Sequence, residues 1–255
     1  MNRWHFLALL SLGYALALYY GQLGLATLPV FALLLLTGAL VLRAHLAIVG
    51  HGVFILLAVG LSAHWLPGFE NAQVFDAQRF CGTCAPFSMH LNLDKPLIGF
   101  WLLLACPWLL LRRAGQAKRL WLTVPGTPIL VLGMAVALGL IAWAPKWPAQ
   151  GGLWLANNLL LVSLVEELIF RAYLQGGLAR CLQRYRYGEG LALLVASLLF
   201  GLAHIGAGWQ MVVVATLAGI GYGLAYRQGG LGAAVLTHAG VNTLHFALFT
   251  YPLSN

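Results

Sequence analysis

Three ionisable side chains interrupt an apolar run that is long enough to cross a bilayer. Glu166, Glu167 and Arg171 lie between Leu153 and Leu174. Charged groups at that depth in lipid are costly and rare, and they usually mark a functional site. A carboxylate in a low-dielectric interior binds a proton more tightly than in water, so it can act as a general base near neutral pH. The stretch therefore points to proton-transfer chemistry such as hydrolysis.

Two further apolar segments carry polar pairs at helical spacing. Phe200 and His204 are four residues apart, as are His238 and Asn242, and residues four apart share one helical face. A neutral imidazole can hold a water molecule, while a second imidazole and an amide can donate hydrogen bonds to the oxyanion formed from a carbonyl. Three helices could thus turn one Glu, two His and one Asn toward a shared interior.

The two adjacent carboxylates are expected to play different roles. Neighbouring residues on a helix are rotated by about 100°, so Glu166 and Glu167 cannot face the same point. Glu167 lies four residues before Arg171 and shares its helical face. An ion pair between them would neutralise the second carboxylate and fix the rotation of the helix. Asn157 and Asn158, two turns before Glu166, are expected to form interhelical hydrogen bonds.

The composition places these segments in a membrane. Of the 255 residues, 61% are hydrophobic and only 8% are charged, which is typical of a polytopic membrane protein. The formal net charge of +8 comes from basic residues scattered between apolar runs, and this pattern argues against nucleic-acid binding, which needs a continuous basic surface. We therefore expect an all-α, polytopic transmembrane helical bundle.

Turn and charge signals divide the apolar sequence into about nine predicted spans, with layouts of seven or eight left open. Basic residues favour the cytoplasmic side, and they follow this rule when the amino terminus is cytoplasmic and the carboxyl terminus is outside. The predicted spans cover about 5–20, 23–42, 46–66, 96–111, 120–143, 151–174, 190–206, 210–226 and 231–250. The basic residues on the inner side are then Arg3, Arg43, Arg112, Arg113, Lys118, Arg119, Arg180, Arg184, Arg186 and Arg227, and those on the outer side are Arg79, Lys95 and Lys146.

The composition changes after Arg119, and we take this point as a domain boundary. Residues 1–119 place few ionisable groups within their spans and are predicted to form an amino-terminal transmembrane extension. Residues 120–255 contain the polar pairs and are predicted to form the catalytic transmembrane core.

The one long polar connection, Pro67 to Lys95, contains Cys81 and Cys84 and shows no obvious element of its own. In an oxidising outer compartment these two cysteines could form a disulfide. A metal site that includes His90 and a redox-active pair are the alternatives.

The polar motifs together resemble those of a known family. Within about residues 150–250, three motifs occur in order and resemble those of the CPBP/Abi intramembrane glutamic endopeptidases, which are type II CAAX prenyl protease-like proteins. The motifs are Glu166-Glu167-x-x-x-Arg171, Phe200-x-x-x-His204 and His238-x-x-x-Asn242.

The resemblance implies roles for the individual residues. It implies that Glu166 activates water with the help of His204, and that His238 and Asn242 stabilise the oxyanion. Glu167, Arg171 and Phe200 would then be structural supports. The resemblance further implies an endopeptidase without a cofactor, in the bacterial inner membrane, that cleaves a membrane-tethered protein or peptide.

Other functions stay open at this stage. The two His and one Glu could hold a divalent metal ion, which would make the chain a metal-dependent membrane protease. The chain could instead be a non-catalytic immunity or scaffold protein on the same fold, or a transporter that relays protons through the Glu/His cluster. His51, His64 and His245 are typical of packed or interfacial histidines, although His245 follows His238 by seven residues and shares its helical face.

Overall fold

A computed structural model describes residues 3–110 and 119–254 of the chain, with side chains for residues 11–109 and 119–254. Most of the described residues are helical, and one pair of strands forms a small antiparallel sheet. The helices are α1 (Arg3–Tyr19), α2 (Leu28–Val41), α3 (Ala47–Ser62), α4 (Lys95–Ala105), α5 (Leu120–Ala137), α6 (Gly151–Cys181), α7 (Gly188–Leu202) and α8 (Trp209–Leu248), and the strands are β1 (Ala72–Gln78) and β2 (Phe87–Leu91). Arg112, Arg113 and Lys118, which the charge pattern assigns to the inner side, lie outside the described residues.

Every predicted span overlaps one of these helical segments. Within the described residues, α5, α6 and α8 are long and apolar enough to cross a membrane, whereas α3, α4 and α7 are shorter apolar helices. Large apolar side chains such as Leu35, Ile48 and Ile129 are exposed on the helices. Such surfaces are stable in lipid and unfavourable in water, so the fold is that of a helical membrane protein.

The chain forms two compact units, of which the first contains residues 3–74 and 90–107. Within it, α2, α3 and α4 pack against one another. The rings of Phe54 and Trp101 stack at 3.6 Å between their centroids, and the indole N–H of Trp101 donates to the Leu34 carbonyl at 2.9 Å. Helix α4 begins where the Asp94 carboxylate accepts a hydrogen bond from the Lys95 amide and where a proline follows in the first turn.

The second unit contains residues 75–89, 108–110 and 119–254. Helix α8 packs along α5 and α7, and α6 packs against both α7 and α8. Close approach between α7 and α8 depends on Gly201, because a Cβ at this position would stand 1.9 Å from Oγ1 of Thr216. The core of the unit is aliphatic and aromatic, with contributions from Val131, Ala135, Phe200, Val214, Ala218, Tyr222 and Val241.

The last two predicted spans form one long helix with a sharp break. Gly230, inside α8, has φ +75° and ψ −167°, a backbone conformation that only glycine adopts readily. The break lies between the predicted spans 210–226 and 231–250. It lets the two halves of α8 run in different directions, and the second half carries His238 and Asn242.

The polar loop from Pro67 to Lys95 is not without structure, contrary to the expectation from the sequence. It contains β1 and β2, which pair with each other, and the connection between them holds a disulfide between Cys81 and Cys84. The short strand β2 alternates between apolar and polar residues, but the longer strand β1 does not, because Val74 and Phe75 are both apolar and no residue of β1 is fully buried. The pattern that identifies a strand in a sequence is therefore faint here.

The two compact units are not separated at a single point of the chain, and the predicted domain boundary at residue 119 stays a prediction. The end of the hairpin, residues 75–89, belongs to the second unit rather than to the amino-terminal one. Hydrogen bonds explain the difference, since the Ala85 amide donates to the Leu253 carbonyl at 3.2 Å and Cys84 pairs with Ser254 in an antiparallel bridge. These contacts join residues far apart in the sequence, and composition gives no sign of them.

Candidate active site

The glutamates lie on a short α-helical turn of α6 between two wider turns. Residues Leu164–Glu167 are α-helical, and they are flanked by the π-helical segments Asn158–Ser163 and Leu168–Gln175. Such insertions are frequent at functional sites because they redirect side chains that regular spacing would place elsewhere. Glu167 is fully buried, whereas the Glu166 side chain is 28% exposed. The two carboxylates thus face different surroundings.

Glu167 anchors a buried network of charged and polar groups. The guanidinium Nε–H of Arg171 donates to its Oε2 at 3.1 Å, and both side chains are completely buried. Its other oxygen, Oε1, lies 2.9 Å from Nδ1 of His238, which places an N–H donor of the imidazole against the carboxylate. Glu167 therefore holds α6 in register with the second half of α8.

His238 lies between the two carboxylates. Its side chain is only 4% exposed, and its Nε2 is 4.0 Å from Oε2 of Glu166. That separation is longer than a hydrogen bond, so the Glu166 carboxylate is close to the imidazole without being bonded to it. Glu166 keeps hydrogen-bonding capacity for another group.

Aromatic rings surround His238 and the guanidinium of Arg171. The Tyr222 ring stacks on the imidazole at 4.5 Å between centroids, with 13° between the planes, and Phe200 meets it edge-on at 5.8 Å. The guanidinium carbon of Arg171 is 5.2 Å from the Phe200 centroid and 6.0 Å from that of Tyr222. Among the residues that the structure describes, neither Nη atom of Arg171 has a hydrogen-bond partner, and cation–π attraction to these rings compensates in part.

His204 lies outside the helix that was expected to carry it. Helix α7 ends at Leu202, and His204 occupies the turn that follows. Gly208, with φ +95°, ends this turn before α8 begins. Together with the small residues Gly206 and Ala207 before it, it favours a tight reversal over a longer helix. His204 nevertheless stays near Phe200, because its Nδ1–H donates to the Phe200 carbonyl at 2.8 Å. That hydrogen bond leaves Nε2 as the acceptor of a neutral imidazole.

Asn242 is linked back to α6 through an amide. Its Nδ2 donates to Oδ1 of Asn158 at 3.3 Å, and the Ser163 hydroxyl donates to the same oxygen at 3.2 Å. Asn158 is 7% exposed, and it forms an interhelical hydrogen bond of the kind that its position before Glu166 predicts. Asn158 thereby orients Asn242, and Ser163 in turn holds Asn158.

A cavity of about 80 Å³ brings three of the four predicted catalytic residues together. It is lined by His204, His238 and Asn242. Glu166 lies next to the cavity, since its Oε2 is 4.0 Å from Nε2 of His238. Its remaining walls are apolar and come from α5, from both halves of α8 and from the carboxyl end of the chain. His245 also lines the cavity, as its spacing from His238 allows. A largely apolar cavity with a few polar groups at its border is typical of a binding or active site.

The segment after α8, residues 249–254, closes one side of this cavity, and we call it the carboxyl-terminal segment. Leu253 is one of the lining residues. The Thr250 amide donates to the Ala142 carbonyl at 2.8 Å, and the Ser254 amide donates to the Leu140 carbonyl at 2.9 Å. Burial raises the pKa of Tyr251 to about 12, so its hydroxyl stays neutral over the physiological range. The cavity therefore has a wall that is held by backbone hydrogen bonds.

Sequence reasoning missed Tyr222 and the apolar walls of the cavity. Tyr222 is sixteen residues before His238, and only the break at Gly230 turns the two rings onto each other. No periodic signal could have found this contact. The contribution of α5 was equally hidden, since its sequence carries no ionisable residue between Leu120 and Ala137.

The arrangement of possible metal-ligating side chains concerns the alternative of a metal-dependent protease. In residues 3–110 and 119–254, no group of three or more His, Cys, Asp or Glu side chains is arranged to hold a metal ion. Both oxygens of Glu167 and the Nδ1 atoms of His238 and His204 already have protein partners. A metal would have to compete with these bonds.

Comparison with known proteins identifies the region that contains the site. Residues 147–244 match the model of the Rce1-like family, described as type II CAAX prenyl endopeptidase. This region is similar to an Rce1-like domain. It spans α6, α7 and most of α8, and it contains all seven residues of the three motifs. No curated protein and no solved structure matches the chain.

The family match and the apolar helices lead to the same conclusion about location. The family indicates a membrane peptide hydrolase of the CAAX endopeptidase type. The three long apolar helices agree with that location. The chain is therefore an integral membrane protein with a protease-type domain.

Proposed function

We propose that the chain is an intramembrane glutamic endopeptidase that hydrolyses a peptide bond in a membrane-tethered protein or peptide. One observation carries the proposal. His204, His238 and Asn242 come from two different helical regions and line a single cavity, while the Glu166 carboxylate lies 4.0 Å from the His238 imidazole. A general base, a water-holding imidazole and two hydrogen-bond donors are the groups that amide hydrolysis needs.

The proposed reaction proceeds through a tetrahedral intermediate. Glu166 takes a proton from water as the water oxygen bonds to the scissile carbonyl carbon, and the carbonyl electrons move onto oxygen. The intermediate then collapses, the carbon–nitrogen bond breaks, and Glu166 returns the proton to the leaving nitrogen. One water is consumed, and one carboxyl group and one amine are formed.

The surrounding contacts suit the neighbouring residues to distinct tasks. The acceptor Nε2 of His204 can receive a hydrogen bond from the attacking water, because its Nδ1–H is already bonded to the Phe200 carbonyl. Asn242 can donate to the oxyanion with its orientation set by Asn158. A protonated His238 would donate from Nε2, and the Glu167 carboxylate against Nδ1 stabilises that cation.

Metal-independent catalysis is part of the proposal and has its own test. Protein reconstituted into liposomes should cleave a membrane-tethered peptide, with mass spectrometry showing addition of one water across a single peptide bond. Cleavage should persist when divalent ions are removed by a chelator. Loss of cleavage that added zinc restores would support the metal-dependent protease instead, and no cleavage of any substrate would support a non-catalytic scaffold or immunity protein.

We further propose that all nine predicted spans cross the bacterial inner membrane. In this arrangement, the basic loop after α6 is cytoplasmic and the hairpin β1–β2 is outside. The charge distribution supports this arrangement, because Arg180, Arg184 and Arg186 cluster at one end of α6 and α7. The disulfide between Cys81 and Cys84 agrees with an oxidising compartment for the hairpin.

A further inference from the structure

We propose that Tyr222 is a positioning residue for the proposed hydrolysis, and that its ring holds the His238 imidazole in the orientation that the oxyanion requires. This role rests on the proposed function, and it falls to a residue outside the three sequence motifs. Tyr222 lies in the first half of α8 and His238 in the second half. Their contact therefore joins the two halves of the helix across the break at Gly230.

The hydrogen bond to Glu167 anchors one side of the His238 imidazole and leaves the tilt of the ring open. Nδ1 lies 2.9 Å from Oε1 of Glu167, and a hydrogen bond stays favourable when its donor angle departs from linear by up to about 30°. The opposite nitrogen, Nε2, moves furthest when the ring tilts. Because Nε2 is the nitrogen that would donate to the oxyanion, a second constraint on the ring is required.

Two aromatic rings supply that constraint. The Tyr222 ring lies almost parallel to the imidazole, with 4.5 Å between the centroids and 13° between the planes. Phe200 meets the same imidazole at 90°, with 5.8 Å between the centroids. Stacked and edge-to-face contacts are the favoured arrangements of aromatic pairs. A tilt of the His238 ring would weaken both contacts, so together they oppose it.

Tyr222 is itself held firmly enough to act as a support. It is 2% exposed and belongs to the hydrophobic core of its unit. Its ring also contacts Phe200, with 5.9 Å between the centroids. A tyrosine has only two side-chain torsions and loses little entropy when it is fixed. The ring is therefore a rigid surface for His238 to lie against.

The expected effect follows from the part of the reaction in which His238 acts. The oxyanion forms only on the way to the tetrahedral intermediate, so a misplaced donor lowers kcat and leaves KM nearly unchanged. A misplacement of about 1 Å can cost about 100-fold in rate. Removing the Tyr222 ring should therefore slow turnover without weakening substrate binding.

Tyr226 offers a matched control for this substitution. It lies four residues after Tyr222 in the same half of α8 and is 8% exposed. Unlike Tyr222, it does not line the catalytic cavity. The same replacement at the two positions removes a buried tyrosine ring from one helix, but only one of the two rings lies on His238.

The kinetic test uses reconstituted protein and a membrane-tethered peptide, with the folded state of each variant checked by thermal unfolding. Tyr222→Leu should lower kcat by about 10- to 100-fold with little change in KM. Tyr222→Phe keeps the ring and should keep the wild-type kcat, as should Tyr226→Leu. Tyr222→Met, a second variant without a ring, replaces Tyr222→Leu if that protein does not fold.

A spectroscopic test measures the orientation of His238 without relying on activity. NMR of the histidine ring nitrogens is recorded on the full chain in detergent micelles, and the His238 signals are assigned by their loss in His238→Gln. Wild type and Tyr222→Phe should show one fixed tautomer with the proton on Nδ1, as the bond to Glu167 requires. Tyr222→Leu should show altered signals averaged over both tautomers.

The outcomes separate the role of Tyr222 from the proposed function. A folded Tyr222→Leu protein with wild-type kcat and unchanged His238 signals would overturn the positioning role. An equal loss of kcat in Tyr222→Phe would also overturn it, because the hydroxyl rather than the ring would then be responsible. A loss as large in Tyr226→Leu would assign the effect to general packing. Absence of cleavage by the wild-type protein would overturn the endopeptidase proposal, while the NMR comparison would still test whether Tyr222 holds His238.

Discussion

The buried pair of Glu167 and Arg171 gives a prediction whose size follows from burial. Replacing Arg171 by Met removes the guanidinium but keeps a long apolar side chain. The Glu167 carboxylate is then left fully buried with only the His238 imidazole as a partner. Breaking a buried ion pair on one side costs about 3–5 kcal/mol, so the free energy of unfolding should fall by that amount. The lost cation–π contacts with Phe200 and Tyr222 add to the cost.

The double variant distinguishes a buried charge from lost packing. Glu167→Gln combined with Arg171→Met leaves no uncompensated charge, and replacing both partners of a buried pair is often close to neutral. We therefore expect the double variant to be more stable than Arg171→Met alone, within about 1–2 kcal/mol of the wild type.

An exposed ion pair in the same unit provides the control. Arg227 donates to Glu189 at 2.9 Å, close to the 3.1 Å of the buried pair, but the two side chains are 39% and 60% exposed. Arg227→Met should change stability by about 1 kcal/mol or less. Reversible unfolding in mixed micelles of increasing denaturing detergent measures these three variants and the single variant Glu167→Gln. Equal effects of Arg171→Met and Arg227→Met, or a double variant as unstable as the sum of its singles, would refute the reasoning.

Three further predictions concern the break in α8, the disulfide and the orientation in the membrane. Gly230→Ala should lower the free energy of unfolding by about 1–3 kcal/mol. Gly232 has ordinary helical geometry and open space around it, so Gly232→Ala should not destabilise the protein. Similar results for the two variants would contradict the role of the break. The disulfide loop holds the carboxyl-terminal segment through backbone hydrogen bonds, so replacing Cys81 and Cys84 by Ser should speed hydrogen exchange of this segment. Exchange in α7 should stay slow. Unchanged exchange in the carboxyl-terminal segment would show that the loop does not hold it. Cys181 is free and exposed, and the proposed orientation places it on the cytoplasmic side. A membrane-impermeant maleimide should therefore label it only after the cells are permeabilised. Labelling in intact cells would contradict the proposed orientation.

The sequence predicted the helices of this fold because apolar runs and turn signals report directly on local structure. The four-residue spacing also predicted that the members of each motif pair lie close together, while their chemical roles stay predictions. What it could not supply were the contacts between elements. The stacking of Tyr222 on His238 depends on the break at Gly230, and the joining of the hairpin to the carboxyl-terminal segment depends on backbone hydrogen bonds between residues about 170 positions apart.

His204 shows where local reasoning gave a wrong position. Its spacing from Phe200 matches a helix, yet α7 ends at Leu202 and the residue is held near Phe200 by a side-chain hydrogen bond to the backbone. Small residues after it (Gly206, Ala207 and Gly208) favour the turn. In this motif the helix ends before the histidine, whose side chain bonds to the last turn. A four-residue spacing alone cannot distinguish this helix end from a continuous helix.

The chemical role of Glu166 is the central claim, and its replacement by Gln tests that claim most directly. The measurement is the single-turnover rate of cleavage of a membrane-tethered peptide by reconstituted protein, with the folded state of each variant checked by thermal unfolding. Glu166→Gln keeps the shape of the side chain and removes the base, so the rate should fall by about 10²–10⁴-fold. Glu189→Gln, the same change at an exposed position, should cleave at the wild-type rate. A folded Glu166→Gln protein that also cleaves at the wild-type rate would contradict the proposed mechanism.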